Sequence, residues 1–496
     1  MSGVLAERRA GVLLHPTSLP GGGPNGTAGA EAWRFVDWLA AGGFSVWQAL
    51  PIGPVDSYGS PYCQRSSYAG YPRLLDTAHL ESLRVLPRGL DLATAAASPD
   101  NTEPSRNDAY RSFARAATAE QRRAFARFVR RERRRLLPYG LFELCSERFA
   151  QAPWWQWPPV FRDRRRAALL EFLAEGKEQF RSIAFEQYLF ALEWTALKRY
   201  ANDRGVYLFG DLPFYVDQNS VEVWWNRELF ALDADGKPRE VAGVPPDYFS
   251  EDGQLWGNPL YDWDAMQRRG FDWWLVRLET QLERFDLVRI DHFRALESYW
   301  AVPAGAKTAR GGEWRKGRGA ELLTALRAKA GDLPLVAEDL GIITDEVRAL
   351  RDRFDLPRMV VAQFAFDGRA DNPHLPANHV RNSVAYTGTH DNDTTVGWYA
   401  GLDEHARDAV RRALALEAPP RVPELLIDAV YDSASQLAVI PMQDLLGLGS
   451  ESRMNVPGRA AGNWGWRFDW SDVDVGLAAR SHARAERSGR LVARAR

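Results

Sequence analysis

Apolar positions along this chain follow two alternating periods. Runs of four to eight apolar or β-branched residues recur at residues 11–15, 45–50, 206–212, 285–291, 333–338, 359–366, 382–387 and 436–443. Each has the length and make-up of a short buried strand. Between most of them the apolar residues shift to the three-to-four spacing of a helix face, over residues 31–41, 182–203, 271–284, 320–330, 344–354 and 404–417. Eight strands alternating with helices predict an α/β fold, a (β/α)8 TIM barrel.

The gaps between the runs place large insertions. Residues 51–205 separate the second and third runs, and a helical subdomain is expected over about residues 75–185. A second insertion, about residues 217–272, is rich in Gly, Pro and Trp and is expected to form loops over the barrel mouth. The stretch after Val475 reads as a terminal helix. No internal repeat or low-complexity linker interrupts the 496 residues, so a single catalytic barrel unit is expected over 1–496.

Composition narrows the partners. A 45% hydrophobic fraction supplies a large core, and a net charge of -2 gives no global attraction to nucleic acid or membrane. Cys63 and Cys145 are too few for a disulfide framework or a cysteine-based zinc site. No run approaches the roughly 18 apolar residues of a membrane span, and the start shows no signal-type apolar stretch. A cytoplasmic protein, monomer or weak homodimer, is expected. The run Arg130-Arg131-Glu132-Arg133-Arg134-Arg135 reads as a solvated helix face laced with ion pairs, because overall charge is balanced and the run holds no aromatic residue. The 19 Trp are a large number, and indole faces stack on sugar rings. The pairs Trp154-Trp155, Trp224-Trp225 and Trp273-Trp274 do not easily share one core, so some are expected on a binding surface.

The candidate chemistry lies where the strands end. Asp211, Asp291 and Glu338 close the third, fourth and fifth runs, and His390-Asp391 follows the seventh. An isolated Asp at a strand end is more often a helix cap or an ion-pair partner. Four such sites in register at the C-terminal face of a barrel are the layout of an active site. Cleaving an acetal takes two carboxyl groups, one protonating the leaving oxygen and one attacking the anomeric carbon or activating water. Neighbouring strands are about 4.7–4.9 Å apart, which suits the roughly 5–5.5 Å separation of a retaining pair. Asp291 and Glu338 are therefore the candidate pair. Arg289, two residues before Asp291, points to the same side of the strand and would keep that acid ionised. Asp211, His390 and Asp391 are candidates to hold the sugar. No His-Glu-x-x-His, Cys-x-x-Cys, phosphate-binding loop or Gly-x-Ser-x-Gly elbow occurs, and no metal or cofactor is expected. Asp391-Asn392-Asp393 lacks the remaining ligands of a calcium loop, and the glycines of 21–26 sit in a Pro-bounded loop.

The four segments resemble the signature regions of the α-amylase clan. Further segments resemble the 4-α-glucanotransferase (amylomaltase) family, glycoside hydrolase family 77, nearly end to end. They are Gly11-Val-Leu-Leu-His-Pro-Thr-Ser-Leu-Pro20, Trp47-Gln-Ala-Leu-Pro-Ile-Gly-Pro54, Ser60-Pro-Tyr62, Val244-Pro-Pro-Asp-Tyr-Phe-Ser250, Gly253-Gln-Leu-Trp-Gly-Asn-Pro-Leu-Tyr261 and Ser452-Arg-Met-Asn-Val-Pro-Gly458. The resemblance implies Asp291 as nucleophile, Glu338 as acid/base and Asp391 as transition-state stabiliser. It implies sugar contacts from Tyr62, Asp211, Arg289, His390, Gln254 and Trp256, and from Asn463 or Asn455. It also implies α-1,4-glucan substrates (maltooligosaccharides, amylose, starch or glycogen) and no cofactor. Cys63 departs from the expected pattern beside Tyr62 and reads as a spacer with possible sensitivity to oxidation. A hydrolase on the same barrel is the alternative, since the acids alone do not distinguish water from sugar as acceptor.

Overall fold

The computed structural model of the protein describes residues 3–492 apart from 22, 57, 84–85, 88–102, 247–249, 415–421 and 460. Parts of the expected helical insertion, of the 244–250 segment and of the 404–417 helix thus lie outside the described residues.

All eight apolar runs form strands, and the strands close a barrel in chain order. They are β1 (Arg9–Leu13), β2 (Val46–Gln48), β3 (Tyr207–Leu212), β4 (Leu287–Ile290), β5 (Leu335–Ala337), β6 (Arg358–Val361), β7 (Ser383–Tyr386) and β8 (Leu437–Pro441). Every neighbouring pair is parallel, and β8 pairs with β1 to complete the ring.

The period of two sorts each strand into two cores. Leu13, Val46, Phe209, Leu287, Val336, Met359, Val361, Val384, Tyr386, Leu437 and Val439 form one cluster, the filling of the barrel. Their neighbours Val12, Leu208, Val288, Ile290, Leu335, Val360, Ala385 and Ile440 belong to a larger cluster shared with the surrounding helices. Gly210 illustrates how tight this outer layer is: a Cβ there would meet the Phe285 ring at 2.3 Å. Burial of both faces makes these strands read as continuous apolar runs.

The N-terminal end of the barrel is closed by both ends of the chain. Val4 and Leu5, in the turn Gly3–Ala6, join the inner cluster. Arg490, fully buried, donates to the carbonyls of Tyr431 (2.7 Å), Ser435 (2.9 Å), Arg9 (3.1 Å) and Ser433 (3.1 Å). These carbonyls include the start of β1 and the turn before β8.

Four expectations change. The runs 359–366 and 436–443 overreach, because β6 gives way to a 3-10 turn at Ala362–Phe364 and β8 to the short helix Met442–Leu445. Ala362 and Met442 are fully buried, so apolarity continues through the turn and does not mark the strand end. The helix Lys177–Asp203 starts earlier than 182 and crosses the expected insertion boundary at 185. The 217–272 insertion is more than loops. Glu240–Val244 pairs antiparallel with Gln254–Pro259 and with Ser298–Pro303, which pairs in turn with Glu313–Lys316. Gly243, one cause of the loop-like reading, is demanded by the sheet: a Cβ there would lie 2.5 Å from the Gln254 carbonyl oxygen.

The fourth concerns tryptophan. Trp154, Trp224, Trp273 and Trp274 are buried in the main core, with Trp155 and Trp225 packed against it. Successive indoles share that core by crossing edge to face, at 87° for Trp154 and Trp155 and 82° for Trp273 and Trp274. The pairs are therefore mainly packing residues, with Trp155 and Trp225 only partly buried. The arginine run is largely ion-paired: Arg131 to Glu132 (2.7 Å), Arg134 to Asp272 (3.6 Å) and Arg135 to Glu283 (2.6 Å).

Candidate active site

The functional groups are the last inward positions of their strands. Tyr207, Phe209 and Asp211 alternate along β3, Leu287, Arg289 and Asp291 along β4, and Val336 and Glu338 along β5. The ladder pairs Asp211 with Arg289, and Ile290 with Ala337. One step further, the Glu338 N–H bonds Ile290 O (3.0 Å), which sets Glu338 beside Asp291, and the Asp291 N–H bonds Leu212 O of β3 (3.1 Å).

Arg289 links the acids of β3 and β4. Its Nη1 donates to Asp211 Oδ2 (2.6 Å) and its Nη2 to Asp291 Oδ1 (2.8 Å). Tyr62 Oη donates to the same Asp211 oxygen (2.6 Å). Asp211 and Arg289 are 1% and 6% exposed, and a guanidinium keeps its charge even there. Asp211, Arg289 and Tyr62 thus form a rigid platform that holds one edge of Asp291.

Glu338 is held from the other side. Its Oε2 accepts the His292 N–H (2.6 Å) and its Oε1 the Leu340 N–H (2.9 Å). His292 reaches this geometry in the left-handed region, at φ 51° and ψ 45°. That conformation costs a non-glycine residue roughly 1–2 kcal/mol. Burial raises the proton affinity of Glu338, against the pull of Arg289 and the two N–H groups. Burial also raises Asp291; Arg289 pulls it down, while Asp211, Glu338 and Asp391 push it up. One cation therefore faces several acids, and the Asp291–Glu338 pair retains a proton to higher pH than isolated carboxyls would.

Asp391 lies past β7 with its side chain half exposed. Asn455 Nδ2 donates to its Oδ1 (2.7 Å), and Arg453 Nη2 donates to its backbone carbonyl (2.9 Å). His390 Nε2 is 3.4 Å from the same carboxylate. Burial lowers the His390 proton affinity, so its ring is neutral at pH 7. Tyr62 stacks on His390, with centroids 5.2 Å apart and planes 14° apart, and Trp464 lies 6.0 Å from each ring.

The four-stranded sheet supplies an outer wall. Trp256, 39% exposed, donates to Gln254 Oε1 (3.1 Å) and presents its ring edge-on to His292 at 4.7 Å. Gln254 is exposed beside it. Asn463 is placed differently: it accepts the Val456 N–H (2.9 Å) and donates to the Arg459 carbonyl (2.8 Å), fastening its own loop. Asn455 is the asparagine that meets Asp391. The Cys63 thiol is pushed up to about 11 by burial and by Asp217 and Asp56, so it stays neutral.

His292 and Arg453 were not singled out from the sequence. His292 directly follows Asp291, yet its contribution is a backbone N–H, which side-chain identity does not signal. Arg453 lies in the 452–458 segment, far from Asp391 in sequence. Among the described residues, no group of three or more His, Cys, Asp or Glu side chains is arranged to hold a metal ion, and no helix is long and apolar enough to cross a membrane.

The chain is similar to known proteins. The Glyco_hydro_77 family, described as 4-alpha-glucanotransferase, matches residues 14–472. The 4-alpha-glucanotransferase of Thermus thermophilus is 44% identical over 501 residues, covering 98% of this chain and 99% of that protein. The chloroplastic/amyloplastic 4-alpha-glucanotransferase of Solanum tuberosum is 39% identical, covering 93% of this chain and 82% of its own length. An amylomaltase from Streptococcus agalactiae, solved in complex with acarbose, superposes with a TM-score of 0.91 at 33% identity, covering 98% of this chain and 100% of that one.

Proposed function

Because the chain belongs to the 4-alpha-glucanotransferase family Glyco_hydro_77, we propose that Asp291 and Glu338 carry out its reaction as nucleophile and acid/base. The enzyme transfers α-1,4-glucan segments from a donor to an acceptor glucan. Asp291 attacks the anomeric carbon of the donor glucosyl unit while protonated Glu338 gives its proton to the departing glycosidic oxygen. A β-linked glucosyl ester forms on Asp291. Glu338, now ionised, takes the proton of the acceptor 4-hydroxyl, which attacks the ester and restores the α configuration.

The Arg289 bridge supports this division of roles above all other observations. With its guanidinium 2.8 Å away, Asp291 is where negative charge is best held, so the retained proton resides on Glu338. Glu338 is fixed by two backbone N–H groups and, among the described residues, makes no ion pair, so Arg289 acts on it only from a distance. Asp391, steadied by Asn455 and Arg453, stabilises the positive charge that develops on the sugar. Asp211, Arg289, Tyr62 and His390 frame the ring of the donor sugar, and Gln254 and Trp256 line the path of the acceptor. Asn463 serves by shaping the loop that carries Asn455. Maltooligosaccharides, amylose, starch or glycogen are the substrates, in the cytoplasm. The acarbose bound by the Streptococcus agalactiae amylomaltase supports substrates of this kind.

Incubation with maltotriose tests the reading. Glucose together with a ladder of longer oligosaccharides is expected, and shorter products alone would mark a hydrolase. Asp291→Asn is expected to lower the rate by roughly 10⁴-fold or more, and retained activity would remove Asp291 from its role.

A further inference from the structure

An open groove between the helical insertion and Trp225 has a volume of about 640 Å³, within the size range of small-molecule sites. Its apolar lining includes Leu136, Leu141, Leu169, Leu170, Phe180 and Trp225. Leu170 is 56% exposed. Every polar side chain of the lining is an arginine: Arg130, Arg133, Arg164 and Arg166. Arg164 is engaged, donating to the Trp224 carbonyl. Arg130, Arg133 and Arg166 have no ion pair or side-chain hydrogen bond among the described residues, although Arg131, Arg134 and Arg135 in the same run are each paired.

Two helices add to the positive charge. Arg133–Arg148 and Arg166–Glu175 both begin at residues of this lining. Neither has a side-chain cap or an acidic residue in its first turn, although Glu132 is the N-cap residue of the first and its carbonyl accepts the Arg135 N–H (2.9 Å). An arginine at the first position of a helix opposes the macrodipole, which favours anions there. The same unfavourable choice is thus made twice around one groove, leaving uncapped N–H groups near unpaired guanidinium groups. The lining offers donors and apolar carbon and no carboxylate, amide or hydroxyl acceptor. A sugar presents hydroxyls that need both donors and acceptors, so a second glucan site fits poorly. A ligand with an anionic head and an apolar body satisfies every group.

We propose that this groove binds a small amphipathic anion such as a medium-chain carboxylate, its tail against Leu136, Leu141, Leu169 and Phe180 and its head between Arg130, Arg133 and Arg166. The groove is open to solvent, and its volume of about 640 Å³ suits a small molecule. The test is calorimetric titration of the full chain with decanoate below its micelle concentration, alongside decanol and acetate. Saturable binding of one decanoate per chain is expected, at least ~10-fold tighter than decanol or acetate. The double variant Arg130→Gln, Arg133→Gln is expected to weaken decanoate by about 10-fold or more and to leave decanol unchanged. Leu170→Asp is expected to weaken both. All these variants should transfer glucan from maltotriose at the unaltered rate, which separates loss of the groove from loss of the fold. Absence of saturable binding, decanol bound as tightly as decanoate, or decanoate binding indifferent to the arginine substitutions would each overturn the proposal. So would an acidic amphipathic peptide binding where decanoate does not.

Discussion

Arg289 shows what two positions on one strand face can carry. Its location two residues before Asp291 was enough to aim it at that acid, and the structure adds that the same guanidinium spans to Asp211. Arg289→Lys keeps one charge and loses the fork that serves two carboxylates at once. A fall in kcat on maltotriose of about 10²–10³-fold is expected, with a smaller change in KM. Elsewhere, single residues are less legible because their partners are remote. Glu222 accepts from Ser66 Oγ (3.1 Å) and the Ser67 N–H (2.8 Å) in the core, and burial pushes its carboxyl up to about 7. The folded chain therefore holds a proton that the unfolded chain has already released above the ordinary glutamate range. The stability this gives is fully present at low pH and is lost as pH rises through 7, by about 3 kcal/mol at most. Glu222→Gln stays neutral throughout, so its melting temperature should fall less than that of the parent between pH 5.5 and 8. An equal or steeper fall would contradict the assignment.

At the scale of elements, the eight strands and most of their helices were legible because two buried faces leave long apolar runs. Their ends were not, since Ala362 and Met442 carry the apolar pattern into turns. The four-stranded sheet was hidden for the opposite reason: Gly243 and the surrounding prolines look like loop chemistry, and Ser298–Pro303 pairs with a segment more than fifty residues earlier. This sheet carries Trp256 to His292, whose N–H holds Glu338. Trp256→Ala should therefore act on the acceptor. The KM for acceptor sugar is expected to rise several-fold, and the share of donor cleaved by water to grow, read as glucose and reducing ends released per transfer. An unchanged ratio of hydrolysis to transfer would separate Trp256 from acceptor handling.

For the molecule as a whole, the order of the strands made the barrel and its candidate catalytic end readable, while the closure of the opposite end was not readable. Arg490 lies in a stretch that reads as a polar terminal helix, yet it is buried against carbonyls from β1 and from the turn before β8. Burial lowers its proton affinity to about 9. Arg490→Met keeps the apolar stem and removes these hydrogen bonds; the Tyr431 and Ser433 carbonyls keep the Arg8 guanidinium (3.2 and 2.7 Å), so the cost of about 1–3 kcal/mol per orphaned carbonyl falls on those that lose their donor. A lower urea midpoint is expected, with kcat per folded molecule unchanged because the mouth lies at the other end. The ladder that runs from one end to the other has a further consequence. The interval between Asp291 and Glu338 is gauged by peptide hydrogen bonds of adjoining strands, whereas the wall proposed to meet the polymer belongs to a separate sheet. Sequence changes in 254–259 are thus expected to act first on product range and to reach the chemical step only through the Trp256–His292 contact, whereas the interval itself changes only with the barrel.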